Sequence, residues 1–539
     1  VYQITVFLSK RSSLVRGVAI YNVHMIRSVH RRASWSSCLI VLIALLSGGQ
    51  APAKTFVLVA AEQLAPAADD WAAYRASTGW TVTPLLVPRG STNDEVRARL
   101  RAIIGERPAE DVVVMLLGDA DDMLPTWHHP QPDVTMRGGH GDTFATDLPY
   151  QDLDHDGMPD VRLGRIPSRT NDEARDVLSK IRHYESTPAH GESRRRVTFV
   201  AGEGHYGAID GVLEQMFARM VDLLVPPAFE ISMTYMKPSS AFCPPIDDAT
   251  PTVLRRLGEG AYLFMFIGHG TADSFDRLYC GFQPHPTLSR HDLNRLERTG
   301  MPPVALLSCC SAGWFDREEG TRSLAETMLL EPNGPVAVIA GSRITHPYAN
   351  ALRVKDTTRA MLGMQVRTVG ELDLRVDRSI VVQDAEDQQI DLFVGPMSRM
   401  QRWPSTLPEL RVMHVALYNL LGDPATTISP PTGRIDVLDP GTSLIRGRCT
   451  GVTDGTVTIT LETDRIDDAI MPVNNDACGL EPADVRARYE AANDRVVSRH
   501  RVPLSGGVFD LELDESASAS ASWIRIFASG TDDAGNATE

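Results

Sequence analysis

Short, unbroken apolar runs recur along most of the chain, at residues 55–60 (TFVLVA), 112–117 (VVVMLL), 261–267 (AYLFMFI), 304–307 (VALL) and 336–340 (VAVIA). Runs of this length without polar alternation read as strands buried on both faces. Polar stretches of helical character lie between them: 67–77 stops near Gly79, and 172–184 forms a second helix. Thr92 followed by Glu95 has capping-box spacing and opens a third, ending near Gly105. Further strands fall at 81–87 and 197–201. This β-α-β-α order predicts a mostly parallel sheet with helices on both faces. Two α/β subdomains are expected, at 54–190 and 191–430, joined near Thr187-Pro188. After a linker at 424–433 (PATTISPPTG) the texture changes to short alternating strands such as 456–462 (TVTITLE) and 508–513 (VFDLEL). Residues 431–539 therefore read as a β-sandwich, with 481–497 a helical excursion and no clear final strand.

The first 53 residues differ from the rest. Residues 38–46 (CLIVLIALL) are apolar but too short to span a bilayer; Arg27, Arg31 and Arg32 precede them and Ala51-Pro52-Ala53 follows. That pattern predicts a secretory signal cleaved after Ala53, with Met25 opening its n-region and 1–24 as a leader or start-site artefact. A secreted location follows, extracellular, periplasmic or at the cell surface. The mature chain is expected to keep no stable transmembrane anchor.

At 539 residues the chain is long enough for two to four domains. Its net charge is −16, and loss of a leader holding six basic and no acidic residues takes it to −22. Such an acidic protein is not expected to bind nucleic acid. Six cysteines remain in the mature chain. In an oxidising compartment Cys243 with Cys280, and Cys449 with Cys478, are available pairs, whereas adjacent Cys309 and Cys310 are poorly placed to bridge each other. The sequence does not settle the pairing.

Two apolar runs end in chemistry. Gly268-His269-Gly270 closes the run at 261–267, and Cys309-Cys310-Ser311-Ala312-Gly313-Trp314-Phe315-Asp316 follows the run at 304–307. In parallel sheets ligands collect outside the carboxyl ends of strands, where both motifs would lie. The pattern resembles the gingipain family of cysteine peptidases, caspase-fold enzymes in which one strand ends in Gly-His-Gly and the next in Cys-x-x-Gly-x-Phe. Only Cys310 has Gly three and Phe five positions on, so it, rather than Cys309, matches the family's nucleophile. Leu116-Leu117-Gly118-Asp119, Ala145-Thr146-Asp147, Val161-Arg162-Leu163-Gly164-Arg165-Ile166-Pro167 and Leu421-Gly422-Asp423-Pro424 stand in the family's order, and the resemblance covers residues 54–430.

The resemblance implies a caspase/gingipain-like α/β fold followed by an immunoglobulin-like sandwich, and a cysteine endopeptidase acting on polypeptide substrates. Cys310 would be the nucleophile, His269 its partner, and the amides of Gly270 and Cys310 the oxyanion hole. Glu203, in an Ala-x-Glu-Gly context, matches the assisting glutamate of arginine-specific members. Asp210 and Glu214 fall where those members carry the acid of their arginine pocket, implying cleavage after basic residues. The resemblance also admits a sortase-like transpeptidase of the type IX secretion pathway, or a non-catalytic surface or matrix binding protein.

A metal motif is readable without the resemblance. Asp152, Asp154, Asp156 and Asp160 stand at positions one, three, five and nine with Gly157 at six, the opening of an EF-hand-like calcium loop. Position twelve is Leu163 rather than Glu, so a further ligand is needed, for which Asp147 is a candidate. Structural calcium is the expected cofactor, with no organic one. His128-His129 and His140 with Asp142 match no zinc spacing.

Overall fold

A computed structural model describes residues 6–7, 19–20 and 54–538, except 121–122, 132–142, 188–191, 206–220, 222, 319, 364–365, 401–402, 429–433, 441–443, 464–475, 514–520, 522 and 533–536. The leader, Asp210, Glu214, His140 and Asp142 thus fall outside the described residues apart from two short paired strands, Val6–Phe7 and Ala19–Ile20, beside the C-terminal sheet. No helix among the described residues is long and apolar enough to cross a membrane.

The first half supplies strands β1 (Thr55–Ala61), β2 (Thr81–Val87), β3 (Val112–Leu117), the hairpin β4 (Trp127–Pro130) and β5 (Thr143–Thr146), and β6 (Arg162–Ile166). Its helices are α1 (Ala65–Ser77), α2 (Asn93–Ile104) and α3 (Asn171–Ser186). Thr92 and Glu95 form the capping box that opens α2. The second half adds β7 (Arg196–Gly202), β8 (Glu230–Met236), α4 (Ala249–Gly258), β9 (Leu263–Ile267), the hairpin β10 (Leu278–Cys280) and β11 (Gln283–His285), β12 (Val304–Ser308), α5 (Leu324–Leu330) and β13 (Ala337–Gly341). Helices α6 (Pro347–Leu362), α7 (Val369–Val381), α8 (Ala385–Met400) and α9 (Leu407–Leu417) precede β14 (Tyr418–Leu421).

Ten of these strands make one sheet in the order β8-β7-β9-β12-β13-β14-β6-β3-β1-β2. Neighbours are parallel throughout except for β13 and β14, which run antiparallel and so join the strands of both halves. All residues of β1, β3, β12 and β13 are buried, as the unbroken apolar runs require. Each large aliphatic side chain buried this way contributes roughly 1.5–3 kcal/mol.

Helices α6 to α9 bury charge as well as apolar surface. Arg353 lies between Asp373 (3.6 Å) and Asp377 (2.5 Å), all nearly inaccessible, and Arg411 reaches Asp387 (3.5 Å) and Asp391 (2.8 Å). A buried guanidinium is retained only when opposed by carboxylates in this way.

The C-terminal unit has two antiparallel sheets: β15 (Arg434–Pro440), β16 (Leu444–Thr450) and β19 (Val508–Glu512) in one, and β17 (Asp454–Glu462), β18 (Val496–Leu504) and β20 (Trp523–Thr531) in the other. Ile445 and Phe509 from the first meet Val457, Ile459 and Ile526 from the second in a separate core. Helix α10 (Pro482–Asn493) leaves this unit and lies on the edge strand β8. There the Asn493 side chain accepts from the Met233 amide (2.8 Å) and donates to its carbonyl (3.0 Å), filling edge positions that a further strand would otherwise fill.

Neither cysteine pairing open to the sequence forms. Cys280, at the end of β10, is bonded to Cys478, in the turn Ala477–Gly479. That turn is held on the second half by the Ala477 amide, which donates to the Pro238 carbonyl (3.0 Å). Cys243 is enclosed in the main core and Cys449 lies on the inner face of β16, so each is a buried free thiol.

Candidate active site

Three parallel strands set the site. Ile267 of β9 is in register with Ser308 of β12 and with Ala201 of β7. Two residues beyond these pairs, His269, Cys310 and Glu203 leave the sheet at one level. Gly268 has φ +156° and packs so tightly that a Cβ there would lie 3.0 Å from the Gly202 nitrogen, while a Cβ on Gly270 would lie 2.7 Å from Cys309 Sγ. The glycines flanking His269 are therefore required by close approach of three strand ends.

The His269 ring has Nε2 2.8 Å from the Gly204 carbonyl oxygen. A carbonyl only accepts, so Nε2 carries the hydrogen in this arrangement. The neighbouring His205 takes a left-handed backbone (φ +53°); its ring stacks on His269 (centroids 6.4 Å apart) and meets the edge of Tyr279 (5.5 Å). Glu203 is half-buried and hydrogen-bonds to no described residue. Behind the histidine, the loop folds back: the Asp276 amide donates to the His269 carbonyl (2.9 Å), and Phe275 stacks on Phe266 of β9 (3.6 Å).

Cys309 and Cys310 differ sharply. Cys309 is fully buried, and burial pushes its thiol well above the ordinary value, with the adjacent Cys310 adding to the shift. Cys310 is half-exposed, and Ser311 after it turns through the left-handed region (φ +58°) with its amide on the Arg343 carbonyl (2.8 Å). Cys310 Sγ accepts from the Thr345 amide (3.4 Å). Thr345 is fixed in turn by Asn350 Nδ2 on its hydroxyl (2.7 Å), and Asn350 by the Tyr418 hydroxyl (2.8 Å). The amides of Gly270 and Cys310 donate to no described residue.

Beside the thiol, Arg343 forms a bidentate pair with Asp316 (2.6 Å on both arms) and lies over Trp314 (4.1 Å). His128 Nε2, from the hairpin of the other half, is 3.0 Å from Asp316. Thr345 and Arg343 were not singled out from sequence. Both follow the run at 336–340, whose strand end lies beside that of β12.

At the acidic loop, the carboxylates of Asp152, Asp154 and Asp156 offer oxygens within 4.8 Å of one another. Left-handed His155 (φ +69°) and Gly157 (φ +84°) make the turn, and the amides of both donate to Asp152. Asp160 accepts from the Leu153 amide (2.7 Å). Three clustered carboxylates fit a hard cation. Asp147 does not complete the set, because its carboxylate is paired with the buried Arg165 (2.7 Å).

A family model described as peptidase family C25 matches residues 50–429. An uncharacterized protein of Archaeoglobus fulgidus is 28% identical over 217 residues, 38% of this chain and 48% of its own length, so the chain spans about half of that relative. Among solved structures, the crystal structure of the Arg-specific cysteine proteinase gingipain R aligns with a TM-score of 0.53 at 14% identity, over 86% of this chain and 92% of that one. The complex of pro- and mature domains from Porphyromonas gingivalis aligns with a TM-score of 0.51 at 14% identity, over 86% and 94%. At such identities the likeness establishes the fold.

Proposed function

The chain belongs to peptidase family C25, and on that premise we propose that it is an exported cysteine endopeptidase with Cys310 as nucleophile and His269 as its partner. The observation that carries this reading is the register Ile267–Ser308, which brings His269 and a half-exposed Cys310 off adjacent strands at one level, with Cys309 turned into the core. The Cys310 thiolate attacks the scissile carbonyl, and the amides of Gly270 and Cys310 donate to the developing oxyanion. His269, protonated on taking the thiol proton, passes it to the leaving amine. Water then hydrolyses the thioester and restores the thiol. Glu203, which leaves β7 at the same level, would orient the imidazole.

The test is a pair of variants. Cys310→Ala is expected to abolish peptide hydrolysis and Cys309→Ala to leave most of it; loss with Cys309→Ala instead would place the nucleophile one residue earlier. Running the assay with an added amine and weighing the products separates hydrolysis from transpeptidation.

Two finer proposals accompany this reading. Asp210 or Glu214 at the floor of the S1 pocket would give cleavage after Arg or Lys, in line with the arginine specificity named for gingipain R. A peptide-library profile with an acidic or apolar preference would refute it. The Asp152–Asp156 carboxylates would hold a structural calcium ion, which supplies folding stability and takes no part in the chemistry. The signal at 38–46 and a disulfide between Cys280 and Cys478 both fit export, and the paired C-terminal sheets fit an immunoglobulin-like sandwich.

A further inference from the structure

The two loops that carry the dyad touch a common clamp. Asp273, four residues beyond His269, has one carboxylate oxygen that accepts from Arg317 Nη1 (2.7 Å) and from Arg290 Nε (2.8 Å). Arg317 lies seven residues beyond Cys310 and also donates to the Arg322 carbonyl (3.2 Å), which orients its guanidinium across the gap between the loops. Arg290 closes the other side, since its own amide donates to the Asp273 carbonyl (2.8 Å). The ion pairs with Arg317 and Arg290 hold Asp273 below the usual carboxylate range against the opposing effect of partial burial, so it is ionised wherever the dyad would work.

The start of α5 reinforces the same junction. The Leu324 amide donates to the Ala272 carbonyl in the histidine loop (2.7 Å), and the next amide, Ala325, to the Ala312 carbonyl in the cysteine loop (2.9 Å). Two consecutive first-turn donors, which no helical carbonyl can satisfy, thus each hold one loop. Ser323 and Glu326 cap this turn and keep it helical.

We propose that Asp273 and Arg317 are positioning residues for the dyad: their ion pair, with the first turn of α5, fixes the separation of His269 from Cys310. The proposal rests on the peptidase reading above. The pair differs from an ordinary surface bridge because Arg317 is only 19% exposed, against 47% for Asp273, and because both partners sit on loops rather than on rigid elements. Small errors in the placement of a base against a nucleophile are costly in rate, whereas the pair itself adds little to overall stability.

The experiment measures alkylation of Cys310 by iodoacetamide across pH, with peptide turnover and melting temperature in parallel, on the full chain with Cys309→Ser as background. On the peptidase reading, the parent is expected to alkylate at lower pH than an ordinary thiol. Arg317→Ala and Asp273→Ala are each expected to move the acid limb of alkylation toward that of an ordinary thiol and to lower kcat at least tenfold with KM little changed. The double variant should be no worse than either single, and Arg317→Lys should recover part of the loss. Melting temperatures should stay within about 3 °C of the parent. An unchanged alkylation profile, additive losses, or a fall in melting temperature that accounts for the loss of turnover overturns the proposal. Failure of the peptidase reading is distinct: the parent itself would then alkylate like a free thiol and hydrolyse nothing.

Discussion

At the scale of single residues, the spacing Cys-x-x-Gly separates Cys310 from Cys309, and burial separates the same two thiols. What sequence does not carry is the hydrogen-bonding role of main-chain atoms. The carbonyl of Gly204 that meets His269, and the amide of Thr345 that meets Cys310, belong to positions whose side chains say nothing of it. Glycine is legible only in its absence of bulk. We expect Gly270→Ala to lower kcat more than tenfold, because its new methyl must displace Cys309 Sγ from 2.7 Å; turnover near the parent's would show that the loop yields. A second residue-scale effect is acid sensitivity. Burial lowers His346 to about 4, and burial lowers His414 to about 3, where it accepts from the His346 amide and caps the segment after Thr345. The unfolded chain takes up these protons near the ordinary histidine value of about 6.5, whereas the folded chain refuses them until the lowered values are reached. Stability is therefore lost as pH falls from 6.5 toward 4, by up to about 1.4 kcal/mol per unit for each histidine. His346→Asn keeps an acceptor for the Tyr348 amide and should flatten that slope in denaturant titrations; an unchanged slope would assign it to other groups.

Among elements, those built from apolar runs were the readable ones: β3 spans the run at 112–117, β12 and β13 those near 304 and 336, and α2 opens at its capping box. Helices α6 to α9 have no counterpart in the sequence reading. Their inward faces carry Arg353, Lys355, Asp373, Asp377 and Arg411, so charge interrupts the apolar periodicity that marks a buried helix. Removing one partner tests how far this network supports the domain. Asp377→Ala strands Arg353 and is expected to cost about 3–5 kcal/mol in chemical denaturation; a loss under about 1 kcal/mol would mean that Asp373 alone suffices. The acidic loop makes a separate prediction. Calcium should raise the melting temperature of the parent, and Asp154→Ala with Asp156→Ala should lose most of that rise. Equal rises in both proteins would move the ion elsewhere.

For the whole molecule, the alternation of strands and helices pointed to the α/β class, and the family's motifs pointed to a gingipain-like fold, which the likeness to the solved gingipain structures supports. The joining of both halves into one sheet through β14 was not visible, since strand direction leaves no trace in a short apolar run. Nor was the bond from Cys280 to Cys478, which spans 198 residues and follows only from the docking of α10 on β8. That bond has a practical consequence for a chain proposed to cut polypeptides, its own among them. Any nick between 281 and 477 opens the backbone without releasing a fragment, and one that falls before Cys310 leaves His269 on one piece and Cys310 on the other. An autolysed preparation should therefore run as one intact band on a non-reducing gel and as two on a reducing gel, while the joined pieces remain a working two-chain enzyme.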